Sequence, residues 1–300
     1  MACSNGRLSC ARSIASIARI VTEGRPRVGF IGAGRVGKGL SLALSRSGYQ
    51  LAGVVGRGLE QKKSVVGASD LVFLTVPDDS LSAACAELVW RDKSVVHCSG
   101  AAGLEVLQHA KNQGARVGGF HPLQMFADPE VAARGLKGCA VAVEAEEPLA
   151  TILLRIVADL GARALRVPTG ARAAYHAAAH YAGPFVAALL AEAVTIWSRL
   201  GIPENDALAA LLPLARGSLD AIEHSGLPRA MAGSVARGDV MTLERHLAAL
   251  GGFDPALRDF YCRLALRTVP LALAAGNLDA AGAARVRELL ERGLAARGTT

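Results

Sequence analysis

The sequence predicts an α/β protein: a doubly wound parallel sheet followed by an all-α C-terminal domain. Three observations carry that expectation. Short apolar runs alternate with helix-like stretches from Arg27 to Val167, and strands separated by helical crossovers imply parallel pairing. The first apolar run opens into Val28-Gly-Phe-Ile-Gly-Ala-Gly-Arg-Val-Gly37, a tight glycine turn between a strand and a helix. After Pro168 the strand-like runs stop and an Ala/Leu-rich helical pattern continues to the end.

Arg27–Ile31 reads as the first strand and Val36–Ser47 as its helix, with Leu40, Ala43 and Leu44 on one face. Leu51–Gly56 is the second strand. Only about 14 residues then separate it from Asp70, so this strand–helix–strand unit is expected to be abbreviated. Asp70–Val76 is almost continuously apolar, as a strand covered on both faces should be. A helix over Asp79–Val89, a strand at Ser94–His97 and a helix over Leu104–Ala110 follow. Strands at Val117–Phe120, Ala140–Val143 and Ala164–Val167, with a helix over Leu149–Leu160, complete the first part. Beyond it, Ala171–Leu200 reads as one long helix kinked at Gly183-Pro184 and stopped by Gly201-Ile-Pro203. Further helices are expected over Glu204–Glu223, Asp239–Leu250, Pro255–Ala274 and Leu278–Ala295, with Asp239 as an N-cap. The domains so predicted are an N-terminal extension over 1–25, an α/β domain over 26–168 and a helical domain over 169–300.

Bulk properties narrow the function classes. At 51% hydrophobic and 20% charged residues the chain has enough apolar side chains for large cores and is not expected to be disordered. The net charge is +7, of which the first 27 residues carry +4, so the basicity lies in a tail and not on a face. With only 4% aromatic residues no base-stacking platform is evident, and a nucleic-acid partner is not expected. No stretch approaches the roughly 20 uninterrupted apolar residues of a membrane helix, because Glu192 and Arg199 interrupt the most apolar one; no membrane partner is expected and the location is read as cytoplasmic. The first 25 residues read as a disordered extension or a start assigned too early, with a transit peptide as the alternative. Cys3, Cys10, Cys85, Cys98, Cys139 and Cys262 form no Cys-x-x-Cys pair and are expected as reduced thiols.

The chemistry gathers where strands end. Gly32-x-Gly34-x-x-Gly37 between a strand and a helix is the dinucleotide-binding fingerprint of a Rossmann-type sheet. Gly32 allows the tight turn, Gly34 lets backbone approach a pyrophosphate, and Gly37 lets the helix pack on the strand; Ala33, Arg35 and Val36 complete the loop. No carboxylate ends the second strand. Arg57 stands there instead, with Lys62 and Lys63 close behind, which favours the 2′-phosphate of NADP (NADPH) over NAD. Val76, Pro77 and Asp78 follow one strand, and Ser99 and Gly100 another; both loops are placed to line a cofactor channel, and both also have ordinary turn composition. His121 ends the next strand as a candidate general acid or carbonyl-orienting group. Arg172, Tyr175, His176 and His180 begin the helical region; Tyr175 and His176 are candidate proton donors and Arg172 a candidate holder of a substrate carboxylate. His176 and His180 have half the spacing of a zinc site, but the Glu of His-Glu-x-x-His and a third ligand are missing, so no metal is expected.

These segments together resemble a family that pairs a Rossmann-like NAD(P)-binding domain with a helical C-terminal domain of unknown function. The resemblance covers nearly everything after Arg25. It rests on the ordered set Gly32–Gly37, Val76-Pro-Asp-Asp79, His97-Cys-Ser-Gly100, Phe120-His-Pro-Leu-Gln124, Tyr175-His-Ala-Ala178 and Ala236-Arg-Gly-Asp239 with Thr242, His246 and Leu247. The family is similar in build to pyrroline-carboxylate reductases and β-hydroxyacid dehydrogenases, and some members are similar to an alternative class of ketopantoate reductase. The His-Pro pair also resembles that of prephenate dehydrogenases, which implies substrate roles for Ser99 and His121. Two departures stand out: the resemblance implies Lys where this chain has Arg172, and a Ser-Asn pair where it has Gly183-Pro184. In related dehydrogenases such a Lys and Asn assist the carbonyl, and Arg cannot give up a proton near neutral pH.

The expectation is therefore an NADP-dependent oxidoreductase acting between NADPH and a small keto or imino acid, possessing a homodimer interface in its helical domain. Two alternatives stand beside it: a non-catalytic NADP-binding sensor or regulatory protein, and a structural dimer with a vestigial fingerprint.

Overall fold

The structure, a computed structural model, describes residues 25–168 and 170–295. The first 24 residues of the expected extension, with Cys3 and Cys10, lie outside the described residues. The chain packs as two compact units, one ending at Pro184 and the other beginning at Phe185. The first unit therefore takes in a helix beyond Pro168, where the pattern of the sequence changes.

The first unit holds a seven-stranded sheet in the order β2-β1-β3-β4-β5-β6-β7. The strands are β1 (Val28–Ile31), β2 (Leu51–Val55), β3 (Leu71–Leu74), β4 (Ser94–His97), β5 (Arg116–Pro122), β6 (Ala140–Ala145) and β7 (Arg163–Leu165). The helices are α1 (Arg35–Arg46), α2 (Leu59–Ala68), α3 (Leu81–Ala86), α4 (Gln108–Asn112), α5 (Pro129–Gly135), α6 (Leu149–Asp159) and α7 (Arg172–Ala182). Every residue of β1, β3 and β4 is buried, because side chains alternate between two covered faces. Val28, Phe30, Leu71, Phe73 and Val96 pack on one face with Leu40 and Leu44 of α1 and with α6. Ile31, Val72, Leu74 and Val95 pack on the other with Leu81, Cys85 and Trp90. Helix α6 shows how the pattern works: Leu149, Ile152, Leu153, Ile156 and Val157 recur every three to four residues and form its buried stripe.

The observed fold class is the predicted one, with three departures. The connection from β2 to β3 is not abbreviated: α2 has ten residues, and the loops on either side are short enough to fit it. Helix α5 escaped the sequence reading because seven residues show too little periodicity. The third departure is in the sheet, which is not wholly parallel: β6 runs antiparallel to β5, and β7 parallel to β6. The reason lies in the chain after β5. Instead of crossing the sheet it packs on α1, where Gly39 lets Phe126 approach and Arg46 pairs with Glu130, and β6 then starts from the same end at which β5 finished.

The second unit is helical: α8 (Pro184–Arg199), α9 (Glu204–Ser225), α10 (Val240–Phe253), α11 (Pro255–Ala274) and α12 (Ala280–Ala295). Its core joins Leu243 and Leu247 of α10 to Cys262 and Val269 of α11 and to Val286 and Leu290 of α12. Asp239 caps α10 as expected, accepting from the Thr242 amide at 3.0 Å and hydroxyl at 2.7 Å. Gly183 interrupts the long helix predicted over 171–200, so α7 and α8 are separate elements. By length and a mean hydropathy of 1.3, Arg172–Arg199 is the one helical stretch among the described residues apolar enough to cross a membrane. No side chain of α8 is buried, and Phe185 and Leu189 are exposed on it.

Candidate active site

The glycine turn sits at the carboxyl end of β1, between β2 and β3, where strand order reverses and open α/β sheets bind ligands. Each glycine there answers a different constraint. Gly32 has a φ of +116°, and a Cβ on it would lie 2.5 Å from the Thr75 carbonyl. A Cβ on Gly37 would run into the Gly32 carbonyl oxygen. The Thr75 hydroxyl, donating to that same oxygen at 2.7 Å, ties the turn to the end of β3. A Cβ on Gly34 would meet nothing within 4 Å, so open space lies over the turn where a pyrophosphate needs it.

Helix α1 begins here without a side-chain cap and without an acidic residue in its first turn. Its first amides therefore remain available to an anion. They face a cleft of about 450 Å³ lined by Gly34, Arg35, Val36, Pro77, Asp78 and Ser99 among others. This donor set fits the diphosphate of a dinucleotide. Behind the cleft the Ser99 hydroxyl donates to Asp78 at 2.6 Å and accepts from the Ala101 and Ala102 amides. Ser99 thus fastens the loop after β3 to the loop after β4, and its only proton is committed to Asp78.

Three basic side chains follow β2. Lys62 is buried against Glu87 at 2.7 Å, and Lys63 pairs with Glu60 at 2.8 Å. Arg57 is exposed and takes part in no ion pair among the described residues, so it alone of the three is available to a phosphate.

The proton-handling candidates meet on the other side of the Ser99–Gly100 loop. The Tyr175 hydroxyl lies 2.9 Å from His121 Nδ1. The His121 ring packs edge-on to His176 at 5.5 Å between centroids, and His176 to His180 at 4.7 Å. Gly100 is their floor: a Cβ on it would lie 2.8 Å from His121 Nε2 and would also strike the His176 ring. His121, His176 and His180 line a second cavity of about 370 Å³. Burial first, then the neighbouring His176 ring and the Arg172 cation, push the His121 pKa down to about 4. Burial likewise lowers His176 and raises Tyr175 to about 12. At neutral pH, therefore, the pair is a protonated tyrosine and a neutral imidazole. Behind them His97, wholly buried on β4, is pushed to about 4 by burial and then by Arg172.

Arg172 is not where a substrate carboxylate could reach it. Only 6% of it is exposed, and its guanidinium donates to Glu144 at 2.9 Å and to the Ser99 carbonyl at 2.7 Å. The expected carboxylate-holding role is replaced by an internal one. The sequence reading missed Glu144, which nothing in the pattern of β6 distinguishes, and Thr75, whose hydroxyl acts only through the fold. It also missed Met125 in the wall of the second cavity, and gave Gln124, quoted only as part of the His-Pro motif, no place there. No group of three or more His, Cys, Asp or Glu among the described residues could hold a metal, and the four cysteines among them are unbridged.

Residues 15–122 match the Rossmann-like domain family, and residues 139–268 match a domain of unknown function, DUF2520. The two matches lie in the order that the sequence resemblance implied. Among curated proteins none matches significantly. Several solved structures share the fold. One is protein BF3122 of Bacteroides fragilis, provisionally assigned as an NADP oxidoreductase: it is 21% identical with a TM-score of 0.66, over 82% of this chain and 98% of that one. The reductive aminase of Aspergillus terreus, solved with NADPH and ethyl levulinate, is 15% identical with a TM-score of 0.59, over 89% and 99%. The pyrroline carboxylate reductase of Plasmodium falciparum, solved with NADP, is 10% identical with a TM-score of 0.57, over 90% and 97%.

Two stability predictions follow from this geometry. Gly37→Ala should cost about 1–3 kcal/mol in urea unfolding, whereas Gly34→Ala should stay within about 0.5 kcal/mol, since only the first creates a clash. The second concerns pH. His97 and His121 titrate near 4 when folded, against about 6.5 unfolded, so the unfolded chain binds more protons between those values. Their contribution is complete above pH 6.5 and is lost as pH falls towards 4. His97→Gln should flatten the stability profile in that window by roughly 2 kcal/mol; an unchanged profile would contradict the assignment.

Proposed function

We propose that this Rossmann–DUF2520 protein is an NADP-dependent oxidoreductase that uses NADPH to reduce a small carbonyl or imine compound. The observation that carries this reading is the Ser99–Gly100 loop, which borders the dinucleotide cleft on one face and supports His121 and His176 on the other. The amides of the Gly32–Gly37 turn would hold the diphosphate and Arg57 the 2′-phosphate. Val76, Pro77, Asp78, Ser99 and Gly100 would border the nicotinamide end. Bound there, NADPH supplies the hydride.

The chain's own residues position and polarise the acceptor. In the tautomer in which the Tyr175 hydroxyl donates to His121 Nδ1, the neutral imidazole carries its proton on Nε2, on the Gly100 side. A neutral imidazole acts as a hydrogen-bond donor that stabilises negative charge developing on oxygen or nitrogen. His176, half-buried and packed against His121, is the group through which a proton is exchanged with solvent.

The narrower reading, a keto or imino acid resembling ketopantoate, relied on Arg172 to hold the acid group. With that guanidinium committed to Glu144 and the Ser99 carbonyl, support remains for the carbonyl or imine and not for the acid. A non-catalytic NADP sensor is the second reading, favoured by the buried Arg172 standing where a lysine acid was implied. The exposed apolar side chains of α8 and α9, Leu189, Leu208 and Leu214 among them, support a homodimer through the helical domain.

Calorimetric titration tests the cofactor assignment. NADPH should bind at least about tenfold more tightly than NADH, and Arg57→Ala should remove most of that difference, since a charge-assisted contact contributes ~1.5–3 kcal/mol. A preference unchanged in Arg57→Ala would refute Arg57 as the phosphate reader. NADPH oxidation separates the enzyme from the sensor. His121→Ala should lower turnover by about 10²–10⁴-fold, and tight NADPH binding with no turnover of any carbonyl or imine would leave only the sensor.

A further inference from the structure

The cavity beside His121 has a composition that selects among the substrates of such a reductase. We propose that it takes a small, uncharged carbonyl or imine compound and discriminates against one bearing a carboxylate; this rests on the reductase reading above and names its substrate class.

The wall carries the argument. The cavity of about 370 Å³ is at the small end of ligand pockets (~300–1,000 Å³). Its polar groups are the rings of His121, His176 and His180 and the amide of Gln124; the rest is Pro, Leu, Met, Ala and Gly. Among the described residues no Lys, Arg, Asp or Glu lines it.

The cation that acts on these imidazoles is unavailable. Arg172 is buried behind the imidazoles, its charge met by Glu144 at 2.9 Å and its second donor spent on the Ser99 carbonyl. The neighbouring cleft carries Arg35 and Asp78. Of the two it is the anion, Asp78, that holds the Ser99 hydroxyl and acts electrostatically on both His121 and His176. A carboxylate brought into this cavity would lose hydration, find no cation, and feel Asp78. Leaving a charge unpaired on desolvation is unfavourable, and a comparison of Kd values reads that penalty directly. An amide, ester, ketone or imine loses little, because the imidazoles supply neutral hydrogen-bonding partners.

The test compares two ligands of one shape, 4-oxopentanoate and 4-oxopentanamide. It is run on the full chain at pH 8, where an imidazole of ordinary pKa (~6.5) is neutral. Binding is read from the imidazole ¹H–¹⁵N resonances, which locate the ligand, and separately NADPH oxidation is followed. The amide should shift the His121 and His176 resonances with a Kd at least about tenfold below that of the carboxylate. Met125→Arg, which places a cation on a half-exposed wall position, should move the preference about tenfold towards the carboxylate. Equal or tighter binding of 4-oxopentanoate by the wild-type chain overturns the inference, as does failure of both ligands to bind. If the amide binds selectively but NADPH is neither bound nor oxidised, the reductase reading fails and the charge selectivity of the cavity stands.

Discussion

The buried guanidinium of Arg172 is the contact on which the arrangement of the site depends. It stands at the first turn of α7 and reaches Glu144 on β6 and the carbonyl of Ser99 after β4. One side chain thus joins three segments far apart in sequence. Two of them carry the groups that matter: Tyr175 and His176 lie one turn further along α7, and Ser99 leads into the Gly100 floor. The planar fork of an arginine can serve two acceptors in different directions while keeping its charge, which a lysine ammonium does less well. Removing Glu144 would strand the buried guanidinium, at a cost below the ~3–5 kcal/mol of a fully buried pair because the glutamate side chain is 36% exposed.

The same cation reinforces the neutral state that burial imposes on the site. Burial alone lowers the histidines, and Arg172 adds to it at His97, His121 and His176. Asp78 works in the opposite direction at all three, but it is exposed and its carboxylate already accepts from Ser99. The neutral state wins, and the Tyr175–His121 pair is fixed as an uncharged hydrogen-bonding unit. A residue that cannot release a proton near neutral pH therefore still shapes proton chemistry, through its field and through the geometry it imposes.

What the sequence made legible, and what it hid, follows from the range of each interaction. The glycine turn was readable because a strand, a turn and a helix follow one another in consecutive residues: Gly32 takes a φ of +116°, and a Cβ on Gly37 would strike the Gly32 carbonyl oxygen, although both glycines also face Thr75 at the end of β3. The two-sided burial of β1, β3 and β4 was readable from unbroken apolar runs. The candidate residues His121, Tyr175, His176, Ser99 and Gly100 were identified individually, and the structure brings them together around one loop. The roles of Ser99 and Arg172 were not readable, since Asp78 and Glu144 reach them only through tertiary structure. Lys62 and Lys63 looked like companions of Arg57 until their partners Glu87 and Glu60 were seen. Helix α2 was misjudged by counting residues in the connection without allowing for how short its loops are.

The least predictable feature of the sheet explains the most about the site. Because β6 reverses direction, Glu144 lies directly opposite Gly119 of β5, and residues paired in this way project on the same face. Gly119 has no side chain to fill that face, and a Cβ there would lie 3.1 Å from an Arg172 nitrogen. The notch left by the glycine admits the guanidinium, and the glutamate beside it supplies the counter-charge. A slip of one residue would turn Glu144 to the opposite face and set Val143 or Ala145 opposite the notch, leaving a buried cation without an anion. The register of two strands outside the nucleotide fingerprint therefore fixes Arg172, and through it the loop and helix that carry the proposed chemistry.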